Sequence, residues 1–176
     1  MTQSNNFSFL AEHSPLLAQL GRSAEQTFSS DPNTTLIKLR QLGEAMAQDL
    51  ASRFGIVFDA ATSQADLLYK LQREIQLEQD ILRLFHTLRV EGNKANHQFH
   101  TQHKDAMDGL KVARALAIWY HQGVSKNGAD FKAGPFIPPQ DPSIELRALQ
   151  TQIEQLKVEL GSTVQALENN QQFAAL

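Results

Sequence analysis

The 176-residue chain contains no cysteine, so disulfide bonds, thiolate metal ligands and cysteine nucleophiles are all excluded. It has no apolar run approaching the roughly 18 to 20 residues that a membrane span needs. The first residues, MTQSNNFSF, lack a basic region followed by an apolar stretch, so we predict no signal peptide and expect a cytoplasmic protein. A net charge of −3 argues against a surface that is basic throughout.

The sequence also lacks the short motifs of several enzyme classes. It contains no G-x-x-x-x-G-K-[ST], no G-x-G-x-x-G, no G-x-S-x-G and no H-E-x-x-H. No strand that carries the acidic and lysine residues of a metal-dependent nuclease is visible either. These absences leave no predicted site for nucleotide hydrolysis, and we predict no cofactor.

Proline is confined to the starts of elements and to one segment, which leaves the long periodic stretches uninterrupted. Apolar residues at three- and four-residue spacing predict five helices, at about residues 14–28, 31–55, 63–71, 78–92 and 104–120. Ser14, Asp31 and Ser63 supply N-caps, and the first two are followed by proline. Gly43, inside the second helix, predicts a close helix crossing. With no alternating strand pattern, residues 1–122 predict an all-α bundle of about five helices.

The segment 123–143 changes character. It contains three glycines and four prolines, which prevent a regular helix. Its side chains Phe131, Phe136 and Ile137 are too apolar for a free linker. We therefore expect this segment to lie across the bundle, held there by those three side chains.

A coiled-coil helix is predicted over residues 144–176, as the start of a spacer. Its apolar residues alternate three- and four-residue steps, which is the pattern of a heptad seam. This heptad seam comprises Leu146, Leu149, Ile153, Leu156, Leu160, Thr163 and Leu167. The helix either packs as a final helix of the bundle or associates with a second copy or a partner helix. The ending ENNQQFAAL has no convincing cap, so we expect an interrupted chain.

One stretch invites a chemical interpretation. Arg89, Asn93 and His97 are spaced by four residues and form a stripe on a continuous helix. A guanidinium, a carboxamide and an imidazole on one face bind phosphate and transfer protons near neutral pH, which makes them candidate catalytic residues. The alternative is structural: the helix ends or kinks at Gly92, and Arg89 pairs with a nearby carboxylate such as Glu91.

The same stretch holds the sequence's one concentration of positive charge. Between residues 83 and 104, four basic residues against Glu91 give a formal charge of +3, and four of the six histidines lie there. This charge suits a phosphate ligand or a nucleic-acid backbone. The predicted nucleic-acid-binding residues are Arg83, Arg89, Lys94, His97 and Lys104.

Three histidines at three-residue intervals, His97, His100 and His103, form a possible zinc site. Asp105 or Asp108 would supply a fourth ligand. The spacing matches no common structural zinc site, so we predict no metal there.

Several segments, in consistent order over about residues 7–140, resemble one bacterial family. They are AEQTFSSDPNTTLIKLRQLGEAMAQDLASRFG, DLLYKL, LFHTLRVEGNKANH, ALAIWYH and FKAGPFIPP. The family is the helical domain of unknown function at the N-terminus of type I restriction enzyme R subunits and related DEAD-box helicase-nuclease proteins. The resemblance implies a spacer, a nuclease domain and a DEAD-box motor after the bundle. Since only the start of the spacer is present, we expect a fragment or truncated product that is not an enzyme by itself.

That family is in turn similar to HEPN domains, helical bundles that often dimerise. Some HEPN domains are metal-independent ribonucleases with an arginine, a polar residue and a histidine at the dimer cleft. By this resemblance Arg89 would bind the scissile phosphate, Asn93 would orient it and His97 would transfer the proton. Seven residues separate Arg89 from His97, one more than the usual HEPN spacing.

The first functional hypothesis is an accessory module that regulates, dimerises or targets a type I restriction helicase-endonuclease in phage defence. Its expected partners are the restriction-modification subunits, a second copy or a coiled-coil partner, and DNA or RNA near Arg89 and His97, with no membrane. The alternative is a HEPN-type metal-independent endoribonuclease that acts as a homodimer. A third hypothesis is a structural dimerisation unit with no ligand.

Overall fold

The computed structural model describes residues 6–174, and its regular elements are all helical. The α-helices are α1 (Pro15–Thr27), α2 (Pro32–Arg53), α3 (Gln64–Ile75), α4 (Gln79–Gln98), α5 (His103–Val124) and α6 (Pro142–Ala174). Two short 3-10 turns, Ser8–Glu12 and Gly128–Asp130, complete the regular structure. Residues 6–174 contain no strand, which confirms the all-α prediction. The chain divides into one compact unit that ends at Gln140 and a second that begins at Asp141.

Three helices begin where the N-cap signals place them. The hydroxyl of Ser14 accepts a hydrogen bond from the backbone N–H of Leu16, at 3.2 Å. The Asp31 carboxylate accepts from the N–H of Thr34 at 3.1 Å, and the Ser63 hydroxyl accepts likewise from the following turn. Each bond satisfies a backbone donor that has no partner inside its own helix, which is worth about 1 kcal/mol per cap. The predicted starts of α1, α2 and α3 are confirmed.

The helix α2 is the central element of the first unit and packs against α1, α3, α4 and α5. Its side chains Leu39, Leu42 and Met46 are fully buried, and α4 adds Phe85 and Leu88 to the same core. Burial of a side chain of this size contributes about 1.5–3 kcal/mol relative to exposure. The packing of apolar faces around α2, rather than helix propensity alone, therefore stabilises the bundle.

The helix α4 continues through Gly92 and ends at Gln98, so the predicted helix end at Gly92 is wrong. The physical reason is packing against α2: a Cβ placed on Gly92 would lie 2.3 Å from the Cβ of Arg40. At Gly43, predicted to mark a close crossing, an added Cβ would make only ordinary contact, at 3.4 Å, with the side chain of Leu88. The backbone of α4 at Gly92 therefore lies close to the side chain of Arg40 on α2.

Aromatic contacts and hydrogen bonds to the backbone hold the segment between α5 and α6 against the rest of the first unit. Phe131 packs against the rings of Phe9 and His121, at centroid distances of 5.0 and 4.3 Å, and Phe136 is half-buried. The Ile137 side chain is 48% exposed, so its predicted anchoring role is wrong. The Asn6 carboxamide instead accepts from the Ile137 N–H at 2.9 Å and donates to its carbonyl at 2.8 Å. Two hydrogen bonds between the Asn6 side chain and the Ile137 backbone therefore hold this position, in place of a buried apolar side chain.

The second unit consists of α6, a helix of 33 residues. The apolar members of the heptad seam are at least half exposed, from Ile153 at 50% to Leu160 at 65%. No helix in the described part of the chain is long and apolar enough to cross a membrane.

Candidate functional site

The three residues of the predicted stripe lie on α4, because that helix is continuous. Arg89 is half-buried, and its Nε donates to Nδ1 of His86 at 3.3 Å. The carboxamide oxygen of Asn93 accepts a hydrogen bond from Nη1 of Arg40 at 3.2 Å. His97 is exposed in the last turn. Arg89 and Asn93 thus each hold one protein hydrogen bond, Arg89 half-buried and Asn93 at the surface, and the imidazole of His97 is exposed.

Two effects favour the neutral imidazole of His86, the neighbour of Arg89. Burial lowers the pKa of the His86 imidazole, and the positive charge of Arg89 lowers it further. The hydrogen bond from Arg89 also needs an unprotonated Nδ1 as its acceptor. His86 is therefore a neutral acceptor at pH 7 that orients the Arg89 guanidinium.

The first prediction concerns this pair. We expect Arg89→Ala to raise the pKa of His86 towards its ordinary value of 6.5, as followed by NMR titration of the ring protons. Because the folded pKa lies below that of the unfolded chain, the unfolded state takes up protons first. Stability therefore falls as the pH drops below about 6.5, and Arg89→Ala lessens that fall. Lys94→Ala is the matched control, and an equal shift in both variants would contradict the assignment.

The predicted nucleic-acid-binding residues are interleaved with carboxylates. Three of the five are paired within their own helices: Arg83 with Asp80 at 3.3 Å, Lys94 with Glu91 at 3.2 Å, and Lys104 with Asp108 at 3.7 Å. Such exposed pairs are worth about 0–1 kcal/mol, so a phosphate readily displaces the carboxylate. Within residues 6–174, Arg89 has no carboxylate at ion-pair distance. Arg89 is thus the one arginine or lysine of the predicted set without such a pair within the described residues.

Acidic side chains also line the cavities beside α4. A cavity of about 360 Å³ contains Lys94 together with Glu91 and Asp105, and one of about 250 Å³ between α4 and α5 contains Glu91, Asp105 and Asp108. The +3 charge counted along residues 83–104 is therefore partly neutralised at the surface, because α5 places its own carboxylates beside α4.

The histidines of the predicted zinc pattern have separate environments. His103 bonds to the carbonyl of Ser29 at 3.1 Å and packs on the ring of Phe28. Over the described residues, His97, His100 and His103 do not converge on a common metal position. One other group does: Glu12, His13 and His121 each bring a ligand atom within 4.8 Å of the others.

Sequence reasoning missed Arg40 and the group of Glu12, His13 and His121. Arg40 lies on α2, in a stretch with the ordinary pattern of an amphipathic helix, and only its packing on Gly92 brings it to Asn93. His13 and His121 are 108 residues apart in the chain.

Comparison with known proteins finds one similar protein by sequence. No protein-family model matches the chain, and no solved structure matches it. Over 176 residues the chain is 35% identical to the type I restriction enzyme EcoKI endonuclease subunit of Escherichia coli (strain K12). The chain is similar to part of a restriction endonuclease subunit. The alignment covers 98% of this chain but 15% of that subunit.

This similarity confirms the coarser part of the sequence resemblance, that the chain is similar to part of a type I restriction enzyme subunit. The chain spans about a seventh of the length of the curated relative. The HEPN-like character of the bundle, its binding of nucleic acid and its dimerisation stay predictions.

Proposed function

We propose that this chain is an accessory module of a type I restriction endonuclease subunit, with a role in assembly or regulation rather than in catalysis. The observation that supports this proposal most directly is the coverage of the alignment. Nearly the whole chain aligns with a small part of a much longer restriction subunit. A chain that corresponds to one part of a larger enzyme is expected to act through contacts with the rest of it.

The side chains of the described unit fit this role. Nε of Arg89 donates to His86, and the carboxamide oxygen of Asn93 accepts from Arg40, so one polar atom of each side chain already has a protein partner. A catalytic stripe needs those atoms directed at a substrate. The stripe therefore supports a structural or anion-contacting role for α4 more than a ribonuclease site.

The heptad seam of α6 supports association. Its leucines and isoleucines are exposed in the single chain, and a regular heptad repeat has the geometry of knobs-into-holes packing between two helices. We propose that a second copy of α6 covers the seam in a homodimer.

The accessory role is tested in a chimera. The segment of the Escherichia coli subunit that aligns with this chain is replaced by residues 1–176, and the restriction of unmodified phage DNA is measured in cells. We expect the chimera to recover most of the parental restriction, because the module supplies contacts that its relative also needs. A subunit lacking the segment is the control and is expected to restrict poorly.

Two outcomes would overturn the proposal. One is a chimera that is folded and expressed like the parent but restricts no better than the deletion. The other is cleavage of RNA by the purified chain in EDTA that disappears in His97→Ala, which would instead establish the endoribonuclease alternative.

A further inference from the structure

Where the first 3-10 turn ends, three potential metal ligands face one another. Nε2 of His13 lies 2.7 Å from Nδ1 of His121 on α5, and Nε2 of His121 lies 3.9 Å from a carboxylate oxygen of Glu12. One ligand atom from each residue lies within 4.8 Å of the other two. We propose that Glu12, His13 and His121 bind a divalent transition-metal ion of the zinc class. This site lies outside the α4 stripe and is independent of the proposed function.

The donor set identifies the class of ion. Two imidazole nitrogens and one carboxylate oxygen form a set that zinc binds in proteins, with a water as the fourth ligand. Calcium and magnesium prefer oxygen ligands throughout, so two nitrogens in three donors select against them. The chain has no cysteine, so no thiolate elsewhere competes for the ion.

The spacing of the two imidazole nitrogens needs only a small adjustment, and the carboxylate of Glu12, 3.9 Å from Nε2 of His121, turns towards the same ion. With zinc–nitrogen bonds of about 2.0–2.1 Å in a tetrahedral site, two ligand nitrogens lie about 3.3 Å apart. The nitrogens of His13 and His121 are 2.7 Å apart, the distance of a hydrogen bond between the rings. If the two nitrogens move apart by about 0.6 Å, a metal ion fits between them in place of the proton of the hydrogen bond. The metal and the bridging proton therefore compete for one position.

Packing holds the imidazole of His121 in place. It is 4% exposed and lies against the rings of Phe9 and Phe131, both in edge-on contact at 5.2 and 4.3 Å. His13 packs edge-on against Tyr120, a fully buried ring of the core. Because these contacts already fix the rings, little side-chain freedom remains to be lost when the metal binds.

Glu12 provides both a ligand and an entry path. Its side chain is 58% exposed, so an ion in solvent reaches the carboxylate before it reaches the buried imidazole. The other carboxylate oxygen accepts a hydrogen bond from the Ser125 hydroxyl at 3.1 Å. Such a second contact orients a metal-binding carboxylate and raises its affinity.

The test measures zinc binding to the purified full chain, first stripped with a chelator, by isothermal titration calorimetry, and follows the absorption bands of cobalt as a substitute ion. We expect one ion per chain, tetrahedral cobalt bands and a higher melting temperature with zinc. Glu12→Gln and His13→Asn each weaken zinc binding at least about tenfold. Both positions are accessible enough for the variants to fold, which circular dichroism checks without metal.

The matched control removes two exposed histidines of the sequence pattern, His97→Ala and His100→Ala together. We expect the control to bind zinc as tightly as the parent. The proposal is overturned if zinc does not bind, if binding is unchanged in both Glu12→Gln and His13→Asn, or if the control loses the site instead.

Discussion

Gly92→Ala is expected to destabilise the protein by about 1 kcal/mol net, which corresponds to a melting temperature about 2–4 °C lower for a chain of this size. The new Cβ would meet the Cβ of Arg40 at 2.3 Å and its Cγ at 2.9 Å. A Cβ is fixed to the backbone and does not swing away, so α2 and α4 must separate. Overpacking of this kind costs about 1–3 kcal/mol and sometimes more, against about 1 kcal/mol that alanine contributes through helix propensity.

Gly123→Ala is the matched control, since it makes the same chemical change in the last turn of α5. No atom lies within 4 Å of the added Cβ, so the gain in helix propensity is unopposed. We expect a gain of about 0.5–1 kcal/mol, measured by thermal and urea unfolding monitored by circular dichroism. If both variants were equally stable, the close packing of α2 against Gly92 would be refuted.

The helix starts were predictable because their causes are local. A cap residue such as Asp31, followed by proline, accepts a hydrogen bond from a backbone N–H of its own helix only three residues further along the chain. The end of α4 was not predictable in the same way. Gly92 has the local signature of a terminus, and the reason that it lies mid-helix is the stem of Arg40, which approaches from α2. A short window of sequence does not contain that information.

The surface charge was misjudged for a related reason. The basic stretch was counted along the chain between residues 83 and 104, while the acidic partners Asp80 and Asp108 lie just outside it. Residues on one helix face pair at three- and four-residue spacing, so a window that ends between partners overstates its own charge. Charge counted by helix face, rather than by stretch, would have predicted the interleaved surface.

The anchoring of the segment after α5 shows the limit of apolar patterning. Ile137 is as hydrophobic as any core residue, yet its backbone, rather than its side chain, is held by Asn6. Asn6 is 2% exposed and lies far away in sequence, so no periodicity points to it. Apolar spacing predicts which faces are buried, but a buried carboxamide with a backbone partner depends on the tertiary fold.

Leu156→Lys is expected to convert a homodimer into a monomer. Leu156 lies in the middle of the heptad seam and is 63% exposed in the single chain, so its burial depends on a second helix. The change removes one leucine from each of two helices, at about 1.5–3 kcal/mol per side chain, and places two like charges at the interface. A loss of roughly 3–6 kcal/mol raises the dimer dissociation constant by more than about 100-fold.

Light scattering coupled to size-exclusion chromatography gives the mass of each species. Gln155→Lys is the matched control, because it adds the same charge one residue away, at a position outside the seam, and is expected to remain a dimer. A parent chain that is monomeric at the highest accessible concentration would exclude self-association through the seam. Equal masses for a dimeric parent and Leu156→Lys would place the interface elsewhere. Only a seam that buries Leu156 explains a mass that halves in Leu156→Lys and stays constant in Gln155→Lys.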